Sequence, residues 1–266
     1  MPNASSSETV LVTGASSGIG AELARAFANG GSSLVLTARS VDKLEALAAE
    51  LRQAASVPVR VIPADLATAD GPARLVQRLS EEGVQVDVLV NNAGYAGFGP
   101  FVQTEWSHEA GMVQLNVVTL TELTKRLLPA MVERRRGGIL NLASTAAFQP
   151  GPLMAVYYAS KAYVLFFSEA LAEELRGSGV SVTALCPGPT QSGFQARATM
   201  EESKLVKGKR LMDAASVAQA GYEGFRRGDT VVIPGLTNRL LAQSVRFVPR
   251  RWVTRMVHKM SERVDA

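Results

Sequence analysis

Short apolar runs and helical patterns alternate along most of the chain. Stretches rich in Val, Leu and Ile occur at Thr9–Thr13, Ser33–Ala38, Val59–Ile62, Val86–Val90, Gly138–Leu142, Val180–Cys186 and Thr230–Ile233. None alternates cleanly between apolar and polar residues, as a strand with one wet face would, so they read as strands buried on both sides. Between them, apolar residues recur at helical spacing over Gly18–Asn29, Val41–Ala55, Pro72–Glu82, Glu105–Asn116, Leu120–Arg135 and Val156–Arg176. Strands separated by helices predict a parallel sheet covered on both faces. Right-handed crossovers wind it into a single α/β domain of the Rossmann type, doubly wound, with about seven strands. No internal repeat, low-complexity tract or linker interrupts the pattern.

Two stretches depart from it. Thr190–Asp213 is polar and weakly patterned, with Gly193 and Gly208. It follows the last main strand and so falls at the carboxyl edge of the sheet, where it is read as a lid over a ligand. Leu240–Val264 reads as one or two amphipathic helices around Pro249. In it Trp252, Met256 and Met260 recur at i+4, beside a basic stripe of Arg251, Arg255, Lys259 and Arg263. Packing on the body or on a neighbouring subunit is the favoured role for this tail, ahead of a membrane surface. The domain is taken as residues 1–236, with 237–266 as a helical extension of it.

Composition narrows the chemistry. The chain has 266 residues, 47% hydrophobic and 20% charged, which suits one globular α/β domain with a substantial core. Met1–Ser7 lacks the basic start and apolar stretch of a leader, and no run of about 18 apolar residues occurs, so a cytoplasmic location is expected. The single cysteine, Cys186, excludes an internal disulfide and reads as a small core residue. With only His108 and His258, neither a histidine-rich metal site nor a Ser-His-Asp hydrolase is expected. Net charge is +4, and from Thr237 onward seven Lys/Arg face two acids, so the near-neutral body leaves the excess in the tail. The tail carries no nucleic-acid motif, and no nucleic-acid partner is expected.

The candidate chemistry begins between the first strand and first helix. Thr13-Gly14-Ala15-Ser16-Ser17-Gly18-Ile19-Gly20 permits a tight turn and brings backbone N–H groups and a helix N-terminus up to a pyrophosphate. At the end of the second strand, Thr37-Ala38-Arg39-Ser40 has no acid to bind adenosine ribose hydroxyls. Arg39 can instead pair with a 2′-phosphate, which points to NADP(H). Tyr157 and Lys161, four apart, project from one helix face, where an ammonium would lower the phenol pKa, and Ser144 could hold a substrate oxygen beside them. Tyr158 has Ala162 as its i+4 neighbour and is read as packing or lining the site.

Together these motifs resemble the short-chain dehydrogenase/reductase family over most of the chain. The family's T-G-x-x-x-G-x-G matches Thr13–Gly20, its N-N-A-G matches Asn91–Gly94, and its Y-x-x-x-K matches Tyr157 and Lys161. The resemblance implies a tetrad of Asn116, Ser144, Tyr157 and Lys161. Asn116 would interrupt its helix and order a water, and Lys161 would also hold the nicotinamide ribose. It places the cofactor on Gly14, Ser16, Ser17, Gly18, Ile19, Gly20 and Arg39, on Asp65 and Leu66 near the adenine, on Asn92, Ala93 and Gly94, and on Pro187, Gly188 and Thr190. The segment Gly94–Phe101 is similar to a ketoreductase-like branch that includes relatives of hydroxysteroid dehydrogenases. A pocket of Tyr95, Phe98, Ala146, Gln149, Met154 and Phe194 then implies a hydrophobic or aromatic ketone, aldehyde or alcohol. The alternatives are a catalytically idle cofactor-sensing or scaffold protein, and a related epimerase or dehydratase. Assembly as a homodimer or homotetramer is also implied, and no metal.

Overall fold

The computed structural model describes residues 8–193, 203, 204, 208 and 211–262. Its centre is a seven-stranded parallel sheet built from β1 (Thr9–Thr13), β2 (Ser33–Thr37), β3 (Val59–Val61), β4 (Val88–Asn91), β5 (Gly137–Leu142), β6 (Val180–Leu185) and β9 (Val231–Val232). Its order is β3-β2-β1-β4-β5-β6-β9, so the winding reverses between β1 and β4. Such a reversal opens a crevice beyond the carboxyl ends of the strands.

Both sheet faces are buried, which explains the missing alternation. In β1, Val10 and Val12 enter one core and Leu11 the opposite one; in β4, Val88 and Val90 divide from Leu89 in the same way. The first core is closed by α1 (Gly18–Asn29) through Leu23 and Phe27, and by α2 (Val41–Ala55) through Leu44, Leu47 and Leu51. The second is closed by α3 (Gly71–Glu81) through Leu75 and Leu79, and by α5 (Leu120–Glu133) through Leu123 and Met131. The long α6 (Ala155–Glu174) packs Leu171 on that core and buries Val164 and Leu165 in a smaller cluster with Cys186.

Three features differ from the sequence reading. First, α4 (Trp106–Val113) and α5 are not separate helices, because a π-helical turn, Gln114–Thr119, joins them. The widened turn accommodates Asn116 without breaking the helix. Second, a helix that the sequence reading omitted, α7 (Ala214–Arg227), covers the first core with Val217 and Phe225. It starts at Asp213, whose side chain accepts from the Ser216 N–H at 2.7 Å, and ends at Gly228 with φ +78°. Third, the two ends of the 190–213 excursion are paired: β7 (Thr190–Gln191) and β8 (Met212–Asp213) form a two-residue parallel ladder. Most of that excursion, including Phe194, lies outside the described residues.

After β9 the chain continues into α8 (Leu236–Ser244) and α9 (Arg250–Ser261), on either side of Pro249 as expected. The row that α9 buries is Val253, Val257 and Ser261; Trp252, Met256 and Met260, the row singled out in the sequence, stay exposed. The two i+4 rows are adjacent on the helix, and only packing decides which one faces the body. No helix among the described residues is long and apolar enough to cross a membrane.

Candidate active site

The loops after the strands meet at one edge of the sheet, around a cleft of about 1280 Å³. At one end, β1 turns into α1. Gly14 and Gly18 have φ of +65° and +58°, and a Cβ on Gly14 would lie 2.8 Å from Asn92 Nδ2 and 2.9 Å from Ala93 Cα. Asn92 fastens this turn to β4, since its Nδ2 donates to the carbonyls of Thr13 at 2.9 Å and Gly14 at 3.1 Å. The Thr13 hydroxyl donates to Val90 O and accepts from the N–H groups of Asn92 and Ala93. Ser17, the residue before α1, makes no side-chain cap, and the first turn of the helix has no acid. The free N–H groups and positive end of α1 therefore face the cleft.

Beside this turn, Arg39 and Lys43 supply two exposed cations, and Asp65 and Leu66 line the wall with Ala93 and Gly94. Open helix N–H groups, glycines that admit close approach and two cations fit a dinucleotide with an additional phosphate. Lys43, one helical turn after Arg39, was not singled out in the sequence, although a basic side chain in the first turn of a helix was a visible signal.

The other end holds the titratable groups. Ser144 follows β5 in extended conformation. Its Oγ accepts from the Ala146 N–H at 3.1 Å, and its hydroxyl points to Pro187 O at 3.4 Å. Tyr157 lies in the first turn of α6 with its phenol hydrogen-bonded to Ser144. Burial pushes the Tyr157 pKa far up, opposed by the Ser144 bond and reinforced by Tyr158. Lys161 donates to Leu142 O at 2.7 Å and lies 5.8 Å from the centre of the Tyr157 ring. Burial lowers its pKa to about 8. The expectation that Lys161 depresses the Tyr157 pKa is thus corrected for the protein by itself, because desolvation dominates both groups.

Asn116 is buried behind this wall and does not line the cleft. It accepts from the Tyr95 N–H at 3.1 Å and donates to Tyr95 O at 3.0 Å and to Ser160 Oγ at 3.1 Å. A Cβ on Gly94 would meet Asn116 Oδ1 at 2.8 Å and Lys161 Nζ at 3.8 Å, so both polar groups converge on the back of that glycine. Gly20 also stands off the cleft. A Cβ there would lie 2.3 Å from Asn92 Nδ2 and 2.4 Å from Gly14 O, so this glycine lets α1 sit down on the turn. Phe98 packs in the cluster of Met112, Met154, Tyr158 and Val253 and does not reach the cleft.

The other expected residues do line it: Ser16, Ser17, Gly18 and Ile19 at one end, Pro187, Gly188 and Thr190 along the floor, and Tyr95, Ala146, Gln149 and Met154 around the far end with Ser144 and Tyr157. Tyr158 joins them, its ring 6.1 Å from that of Tyr157 at 78°. The sequence reading missed the wall formed by Leu236, Asn238, Leu241 and Met260. Near it, Ser203 Oγ donates to Ser261 O at 3.1 Å and Lys204 pairs with Glu262 at 2.9 Å, which ties this part of the 190–213 excursion to the end of α9.

A family profile described as short chain dehydrogenase matches residues 8–203. The chain belongs to the short-chain dehydrogenase/reductase family. A short-chain dehydrogenase from Sphingobium yanoikuyae, solved in complex with NADPH, is 37% identical and superposes with a TM-score of 0.80, covering 90% of this chain and 93% of that one. The bulky-bulky ketone specific alcohol dehydrogenase from Comamonas testosteroni is 34% identical with a TM-score of 0.77, covering 90% and 92% of the two chains. The human very-long-chain 3-oxoacyl-CoA reductase is 35% identical over 68% of this chain. The alignment spans only 58% of that reductase, and only 60% of a short chain dehydrogenase from Pseudocercospora fijiensis. These names agree with the ketoreductase-like branch of the family.

Proposed function

We propose that this short-chain dehydrogenase interconverts a hydrophobic ketone or aldehyde and the corresponding alcohol, using NADP(H). The observation that carries the reading is the Tyr157 phenol, buried and hydrogen-bonded to Ser144 in the same cleft as the open N-terminus of α1. The nicotinamide cofactor supplies or accepts the hydride when bound. Gly14 through Ile19 would hold its pyrophosphate, and Arg39 with Lys43 its 2′-phosphate.

The protein's own part is proton transfer and orientation. The Ser144 oxygen accepts the Ala146 N–H, and its O–H would turn from its present contacts with Pro187 O and the Tyr157 phenol towards a substrate oxygen. Tyr157, kept protonated by burial, donates to that oxygen as it gains negative charge during reduction, and takes the proton back in oxidation. Lys161, anchored on Leu142 O, places its nitrogen behind the tyrosine ring. Met154, Ala146, Leu241 and Met260 give the substrate end an apolar lining. The NADPH-bound Sphingobium relative and the Comamonas enzyme for bulky ketones support the cofactor and the substrate class.

The test is NADPH oxidation across aromatic, aliphatic and steroid ketones, with the alcohol product identified. Product identification separates reduction from epimerisation or dehydration. Tyr157→Phe is expected to lower kcat about 10²–10⁴-fold while NADPH affinity stays within about twofold. Wild-type turnover by that variant would refute the assignment.

A further inference from the structure

Half of the exposed large hydrophobic side chains among the described residues lie between Leu236 and Met260. Leu240 is 62% exposed, Phe247 87%, Trp252 58% and Met256 57%. So dense a group on one short stretch marks a surface that meets something apolar. The same stretch is strongly basic. Arg239, Arg246, Arg250, Arg251, Arg255 and Lys259 are all exposed, and the single acid between residues 236 and 262, Glu262, is already paired with Lys204.

The arrangement on α9 is ordered. Its buried row is Val253, Val257 and Ser261; the next row is Trp252, Met256 and Met260; the row beyond is Arg251, Arg255 and Lys259. An apolar edge bordered by cations is the layout of a helix lying in a lipid interface, with its rings and thioether chains among acyl chains and its cations at the headgroups. A second copy of this chain fits less well. A two-fold contact would set this basic face against itself.

The cleft opens on the same side. Leu236, Leu241 and Met260 line it, yet they are 72%, 59% and 39% exposed. We propose that α8 and α9 dock this protein on an anionic lipid surface, with the substrate mouth held against it, so that it acts on carbonyl compounds dissolved in the bilayer. The docking stands on the surface alone, whereas the substrate clause rests on the function proposed above.

The test uses the full chain and vesicles with or without phosphatidylglycerol. The protein should sediment with phosphatidylglycerol vesicles, not with pure phosphatidylcholine, and should be released as salt rises. In a Trp106→Phe background, which leaves Trp252 as the sole tryptophan, emission should shift to the blue on binding. The double variant Trp252→Glu, Met256→Glu should bind vesicles about tenfold or more weakly. It should still reduce a small water-soluble ketone at the parent rate, but lose activity on a ketone supplied in vesicles. No sedimentation with phosphatidylglycerol vesicles, or equal sedimentation of the double variant, would overturn the docking. A lower mass of the double variant by light scattering would overturn it in favour of a second copy. If no ketone is reduced by the parent while vesicle binding persists, only the proposed function fails.

Discussion

On one side of the cleft, the loops after β1, β2 and β4 present glycines, backbone N–H groups, Arg39 and Lys43; on the other, α8 and α9 present Leu236, Leu241 and Met260. The first side is held by hydrogen bonds between neighbouring loops, with Asn92 gripping the carbonyls of Thr13 and Gly14. The second is held by side-chain packing across the whole chain, Val253 and Val257 resting among Met154, Tyr157 and Tyr158. A wall made of backbone has one shape and suits an unvarying ligand. A wall made of apolar side chains changes shape with each residue, and so is where a preference among substrates is set.

That contrast can be broken most directly at Gly20. Gly20→Ala forces a methyl against Gly14 O and Asn92, which is expected to cost about 3 kcal/mol and to weaken dinucleotide binding. Thermal unfolding and cofactor titration read both effects, and an unchanged Tm would mean that the turn gives way easily.

Lys161 lies at the seam between the two walls, and its effect depends on pH. Its folded pKa of about 8 is below the ordinary 10.5, so below pH 8 its charge costs the cofactor-free fold about 3 kcal/mol. Between about pH 8 and 10.5 the folded chain has released the proton while the unfolded chain keeps it, so stability rises with pH across that window. The Tm of Lys161→Met should exceed that of the parent most below pH 8, and the two should converge towards pH 10.5. A difference independent of pH would show that Lys161 is not desolvated.

On the packed side, Val253→Ala is expected to cost about 1–2 kcal/mol and to raise KM for a bulky ketone with kcat little changed. A fall in kcat instead would mean that α9 also positions Tyr157. The smallest change is Arg39→Ala. Losing one of two cations should weaken NADPH binding about tenfold and leave NADH binding nearly unchanged. Equal effects on both cofactors would remove Arg39 from phosphate recognition.

The two sides also differed in how far they could be read in advance. Gly14, Gly18 and the Y-x-x-x-K pair act through local backbone geometry and helix spacing, so their order along the chain already located them. Gly20 and Asn116 were read as touching ligand or water; the fold adds their protein neighbours, Asn92 and Gly14 O behind Gly20 and the Tyr95 backbone on Asn116. The α7 helix was missed because Gly221 breaks its apolar pattern; in the fold a Cβ there would lie 2.5 Å from Leu185 Cδ2, so the glycine serves close packing on β6.

By itself the sequence determined the doubly wound sheet, the glycine-rich turn between β1 and α1, and the presence of a tyrosine, lysine and serine at its carboxyl edge. These follow from periodicity and local conformation, which act over a few residues. Only the tertiary structure decided which row of α9 is buried, that Leu236, Leu241 and Met260 wall the cleft, and that burial raises the Tyr157 pKa. Those outcomes depend on which distant segments exclude water from one another, and desolvation is a property of the assembled neighbours.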